Sequence, residues 1–120
     1  MEENDINLRN YAYIGDAIWE LYVREITILR TQNAKDLHKM TTDRVKAEFQ
    51  CGLLNDIEPE LNEMELDLLR RARNLPVPVA RRSNQAEYRM ATAFETLVGW
   101  WHLNDKDRLK YIFKHLQKKI

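Results

Sequence analysis

Apolar residues recur along the chain at intervals of three and four almost from end to end, the period that winds them onto one face of a helix. Only three glycines and three prolines interrupt the pattern, so it predicts an all-α fold. From about 7 to 30, Leu8, Tyr11, Ala12, Ile18, Tyr22, Ile26 and Leu29 form one stripe, widened by Ile14 and Leu21 on one side and by Trp19 on the other. An arc that broad predicts a central helix packed on several sides. Asn33 is placed to cap a short helix to about 40. Thr41 or Thr42 is placed to cap the next, whose Val45, Phe49 and Leu53 keep helical spacing toward Gly52 and Asn55. Both read as scaffold. Asn62 and Glu65 make a capping box that opens ELDLLRRARN, with Met64 as a core residue, and the helix runs out at Leu75 and Pro76. The segment LPVPVARRSN, with Pro76 and Pro78, cannot propagate a helix and is expected to be an extended, exposed loop. Asn84 and Glu87 form a second capping box before a long helix to about 103, carried by Met90, Phe94, Leu97, Val98 and Trp101. A last helix follows Asn104, with Leu109, Ile112, Phe113 and Leu116 inward and Lys110, Lys114, Lys118 and Lys119 outward.

A chain of 120 residues can bury one core but hardly two, so residues 1–120 are expected to form a single compact domain. Apolar runs are short and broken by charge, and MEENDINLRN has neither the basic flank nor the apolar core of a signal peptide, which predicts no membrane segment. Cys51 is the one cysteine and the three histidines lack zinc spacing, which leaves no intrachain disulfide or zinc signature and points to a reducing cytoplasm. Zero net charge would argue against nucleic acid, yet the average hides an asymmetry. Residues 1–69 hold 15 acids against 7 Lys and Arg, whereas 70–89 hold six arginines, Arg70, Arg71, Arg73, Arg81, Arg82 and Arg89, against Glu87. The basic half is compatible with a phosphate-binding stripe and equally with a solvated charged face.

Two acids stand out because each interrupts an apolar helix beside a glycine. Gly15 precedes Asp16, and Gly99 lies one turn beyond Glu95. Glycine inside a helix costs about 0.5–1 kcal/mol relative to alanine, so it implies a compensating close approach of another backbone or a ligand. Counting about 100° per residue puts both acids at the rim of their apolar stripes, where Ala12 and Thr92 leave space. Half-desolvated carboxylates of this kind suit Mg²⁺-assisted phosphodiester hydrolysis; on spacing alone, solvated or arginine-paired acids are the competing reading.

The segment YAYIGDAIWELYVR, residues 11–24, resembles the signature helix of the ribonuclease III family, and TAFETLVGWW, residues 92–101, is similar to that family's glutamate-bearing element. Their order, the RRARN segment at 70–74 and the absence of a double-stranded-RNA-binding domain from this length resemble the Mini-III branch. The resemblance implies that Asp16 and Glu95 are the catalytic, metal-binding acids. Two further acidic positions of the full-length family are Ala12 and Thr92 here, a departure that Mini-III enzymes share and that leaves the number of metals open. Glu20 could reach the metal's water shell, or pair with Arg24 at i,i+4. The resemblance also implies Mg²⁺, replaceable by Mn²⁺, and a homodimer cutting double-stranded RNA to 5′-phosphate and 3′-hydroxyl ends in the maturation of precursor large-subunit ribosomal RNA.

Duplex RNA presents a wide minor groove and phosphates, so recognition should rest on shape and charge. Arg70, Arg71, Arg73, Arg81 and Arg82 bracket the proline loop and are the candidate RNA contacts; Asn74 is either a helix cap or a further contact. Trp19, Trp100 and Trp101 read as core or dimer packing, with Tyr13, Ile14 or Trp19 as candidate dimer surface. The rival functions are a non-cleaving RNA-binding factor of the same fold and a helical protein-interaction module.

Overall fold

Asn7 caps the first helix by accepting from the Arg9 amide at 2.8 Å, and α1 then runs over Leu8–Thr27. This is the computed structural model of the chain, which describes residues 7–120 except the side chain of Arg82. The signal-peptide reading concerns mainly residues 1–6, outside the described part. After α1 come α2 (Ala34–Val45), α3 (Ala47–Ile57), α4 (Glu63–Arg73), α5 (Gln85–Asn104) and α6 (Lys106–Leu116). Short 3₁₀ turns at Glu58–Glu60, Val79–Asn84 and Gln117–Lys119 complete the path, and there is no strand among the described residues. The fold is all-α, and no helix of the described part is long and apolar enough to cross a membrane.

The central position belongs to α5 rather than α1. α5 buries eight residues and packs on α1, α3, α4 and α6, with α1 as its most extensive partner. On α1 the buried line is Tyr11, Gly15, Trp19, Val23 and Thr27, a strict four-residue series. The expected stripe was centred elsewhere because Gly15 and Thr27 carry no hydrophobic signal. Leu29, just past the helix end, is 86% exposed, and Leu21 also faces outward. Trp19 is fully buried, meets Phe94 and Phe113 edge-on at 5.1 and 5.5 Å, and donates its Nε1–H to the Arg44 carbonyl at 2.8 Å. It therefore fills the core and lies outside any dimer surface. Such aromatic pairs add about 0.5–1.5 kcal/mol each beyond their buried area.

Caps decide several boundaries. Asn33 caps α2 as expected, accepting from the Asp36 amide at 3.0 Å. The helix does not stop near 40, however: it continues through Thr41 and Thr42, and the break falls at Lys46, which is extended. Thr41 is not a cap because its hydroxyl is buried against that of Thr27 at 3.1 Å, joining α1 to α2. The Asn62–Glu65 capping box is present in full. Met64 is 46% exposed, and the slot expected for it belongs to Glu65, which is 1% exposed. The Glu65 carboxylate accepts from Trp101 Nε1 at 2.7 Å, from Arg108 Nε and Nη2 at 2.9 and 2.8 Å, and from the Asn62 amide at 2.9 Å. Burial alone would raise its pKa; Arg108, the Asn62 amide and Trp101 outweigh burial and hold it below the usual range. One buried acid thus ties α4 to α5 and α6.

The proline segment is only partly extended. Pro78 is extended, but Val79–Asn84 winds into a 3₁₀ turn in which the Arg81 amide donates to the Pro78 carbonyl at 2.9 Å. That turn runs directly into α5, so Asn84 makes no side-chain cap and the second capping box does not form. The last helix forms as expected, capped by Asp105 with Leu109, Ile112, Phe113 and Leu116 buried.

Candidate active site

Two glycines set the geometry. A Cβ built on Gly15 would lie 1.8 Å from the Glu95 carbonyl oxygen, and one on Gly99 would lie 1.9 Å from the Tyr11 carbonyl oxygen. The backbones of α1 and α5 therefore touch, with residue 15 against 95 and residue 11 against 99, an antiparallel crossing that only glycine permits. Asp16 follows Gly15 on the exposed side of α1, and Glu95 is the contact residue of α5. The crossing brings the two carboxyls near enough for Asp16 to act on Glu95 electrostatically.

Burial pushes the Glu95 carboxyl up to about 8, the hydrogen bond and negative charge of Asp16 add to the rise, and Gln50 opposes it. Gln50, on α3, donates Nε2–H to Glu95 Oε2 at 3.3 Å. No ion pair engages Asp16 or Glu95 among the described residues, so no arginine or lysine neutralises the pair. Among the described residues no third Asp, Glu, His or Cys joins them in a group that could enclose a metal. Two carboxylates are a donor set compatible with a divalent cation such as Mg²⁺, which is usually held by one or two carboxylates and completes its octahedron with water and phosphate oxygens.

Glu20 is occupied by Arg24 in an i,i+4 ion pair at 2.7 Å, the second of the two alternatives open from the sequence. Ala12 and Thr92 are half-buried and add no acid. Gln50 was missed by sequence reasoning. Its helix was read as scaffold on Val45, Phe49 and Leu53, whereas the buried face is Gln50, Leu53, Leu54 and Ile57. A neutral amide inside an otherwise apolar i, i+3, i+4, i+7 series is the signal that could have found it.

The arginine group is divided. Arg70 and Arg71 both pair with Asp67 on their own helix, which occupies part of each guanidinium and leaves further donors outward. Arg73 is half-buried at the end of α4, and Asn74 is the C-cap residue, its amide donating to the Arg70 carbonyl at 3.2 Å. Arg81 is exposed on the 3₁₀ turn; the side chain of Arg82 lies outside the described part. The start of the proline segment is tied to α1 by Arg9, whose Nη2 donates to the Pro76 carbonyl at 2.8 Å. No described contact joins this arginine group to the Asp16–Glu95 pair.

Comparison with known proteins agrees with this frame. Residues 9–106 match the Ribonuclease III domain family. The chain is 44% identical to a Mini-ribonuclease 3 of Gloeobacter violaceus, over 89% of this chain and 79% of that protein. It is 38% identical to one of Clostridium tetani, over 86% and 71%. A Fusobacterium nucleatum protein solved by X-ray crystallography superposes with a TM-score of 0.83 at 27% identity, covering 100% of this chain and 99% of that one.

Proposed function

The chain belongs to the ribonuclease III family, in its Mini-ribonuclease 3 branch, and on that premise we propose that it is a Mg²⁺-dependent endoribonuclease that cuts double-stranded RNA. The observation that carries this reading is the meeting of Asp16 and Glu95 at the glycine crossing of α1 and α5, unneutralised by any described cationic side chain. A divalent cation, Mg²⁺ or Mn²⁺, supplies neutralisation of phosphate charge and acidification of water when bound. Asp16 and Glu95 are the groups that hold it, and the rigid helix crossing fixes their separation before substrate arrives. Hydrolysis forms a bond from water oxygen to phosphorus and breaks the bond to the 3′ oxygen, leaving 5′-phosphate and 3′-hydroxyl ends.

Arg81 and Arg82, with the outward donors of Arg70, Arg71 and Arg73, provide phosphate contacts on the duplex, and Asn74 fixes the end of α4 that presents three of them. The working unit in this reading is a homodimer of single-domain chains. Each chain contributes one acid pair, and two antiparallel strands need two sites related by a two-fold axis. The shallow groove lined by Asn10, Tyr13, Ile14 and Leu103, with Tyr13 82% exposed, is the candidate dimer surface beside the site-bearing stretch of α1. The natural substrate class in this reading is precursor large-subunit ribosomal RNA in the cytoplasm.

The test is incubation with long duplex RNA, single-stranded RNA and duplex DNA, each with Mg²⁺ and with chelator, for the wild type, Asp16→Asn and Glu95→Gln. Duplex RNA alone should be shortened, only with Mg²⁺, and both variants should lose nearly all cleavage while retaining fold and most duplex binding. Near-normal turnover in either variant at saturating Mg²⁺ would sink the site assignment.

A further inference from the structure

Gln50 is 1% exposed, among the largest fully buried side chains of the molecule, and occupies a position on α3 that a leucine would complete without any polar group to satisfy. Burying a carboxamide is unfavourable unless it is hydrogen-bonded, so this residue at this position implies a partner that rewards it. That partner is Glu95 Oε2, 3.3 Å from Gln50 Nε2. Glutamine is also the side chain whose charge suits the task. A lysine or arginine here would cancel one of the two negative charges that a cation needs, and a glutamate would add a third without supplying a donor. An amide donates one hydrogen bond and leaves the charge of the pair unchanged.

A glutamate side chain with three rotatable bonds has many orientations to lose on binding a cation. With one oxygen held from the α3 side, the other oxygen and the remaining lone pairs stay free for the side that Asp16 occupies. We infer that Gln50 is a positioning residue: from α3 it holds the Glu95 carboxylate in the orientation in which that carboxylate and Asp16 together take a divalent cation. The inference rests on the metal-dependent reading of the Asp16–Glu95 pair. Partners that orient metal-binding carboxylates contribute about 10–100-fold to metal affinity or activity, which sets the expected size of the effect.

The test is Gln50→Met, a side chain of similar length that packs in an apolar slot and donates nothing. Titration calorimetry with Mn²⁺ alone, without RNA, should show affinity weakened about 10–100-fold, and kcat on duplex RNA should fall by a similar factor. The melting temperature in chelator, the KM for duplex RNA and duplex binding in chelator should stay unchanged. Gln50→Asn, which keeps the amide one methylene short of its partner, should show the same split and replaces the methionine variant if that one melts below the assay temperature. Unchanged Mn²⁺ affinity and kcat in a folded variant would overturn the inference. So would a parallel loss of kcat, duplex binding and melting temperature, which is how a packing residue behaves. Glu95→Gln separates the two levels. If it binds Mn²⁺ as tightly as the wild type, the carboxylate-pair reading fails and takes this inference with it. If it loses Mn²⁺ while Gln50→Met retains it, only the role of Gln50 falls.

Discussion

Glu95 holds its proton far longer in the folded protein than in the unfolded chain, because burial and the neighbouring Asp16 push its carboxyl from an ordinary value of 4.5 to about 8. Between those two values the folded state binds more protons than the unfolded state, so stability in chelator should fall as pH rises through that window. Below about 4.5 both states are protonated and the penalty is absent; above about 8 it is fully developed, on the order of 5 kcal/mol as an upper bound. Mg²⁺ should flatten the dependence by favouring the ionised pair, and Glu95→Gln should remove its own share of it. Thermal melts of wild type and Glu95→Gln in chelator at pH 5, 6.5 and 8 check this. Equal pH slopes for the two proteins would show that Glu95 ionises freely. At this scale Asp16 and Glu95 stand out in the sequence as candidates, since an acid beside a glycine in an apolar helix is a local anomaly. The role of Gln50 does not, because its partner lies 45 positions away and its own residue type marks no chemistry.

Among the helices, the crossing of α1 and α5 makes a sharper claim than any single side chain. In Gly15→Ala the new methyl would meet the Glu95 carbonyl carbon and oxygen and the Gly99 amide, all backbone, so the helices must separate. Overpacking of that kind costs about 1–3 kcal/mol, and here it also draws Asp16 away from Glu95. Gly15→Ala should therefore lower the melting temperature and reduce cleavage together. Gly52 on α3 is the contrast: nothing lies within 4 Å of a Cβ built there. Gly52→Ala should stabilise by about 0.5–1 kcal/mol through helix propensity and leave cleavage unchanged. Denaturant unfolding of both variants distinguishes the two glycines; a stable, active Gly15→Ala would contradict the crossing. Sequence alone could say that each glycine needed a reason, and only the packing says that two of the three have one.

For the molecule as a whole, charge and symmetry carry the predictions. Replacing Arg81 and Arg82 by alanine should weaken binding to unrelated duplex sequences about equally and lower the slope of log affinity against log salt by about 1–2, the loss expected for one or two phosphate contacts. An unchanged slope would mean that the 3₁₀ turn does not touch the backbone. Mixing wild type with excess Glu95→Gln after subunit exchange should yield heterodimers that nick one strand of a duplex. An active monomer in sedimentation, or only double-strand breaks from the mixture, would contradict the two-site dimer.

The sequence by itself determined what is settled within a few residues of each position: the helical period, the caps at Asn33 and Asn62, the exit from α4 before Pro76, and the inward face of α6. A cap is a hydrogen bond to an amide two or three residues on, and an amphipathic face repeats within two turns, so neither needs the rest of the chain. Tertiary structure decided which surface of α1 is buried, since Gly15 makes its closest contact without any side chain to advertise it. It also decided that Glu65 rather than Met64 enters the core, because Trp101 and Arg108 arrive from α5 and α6 to satisfy the acid. And it decided that Asp16 from α1 and Gln50 from α3 both come near Glu95 on α5, since proximity between distant segments depends on how the helices pack and not on the local pattern of any one of them.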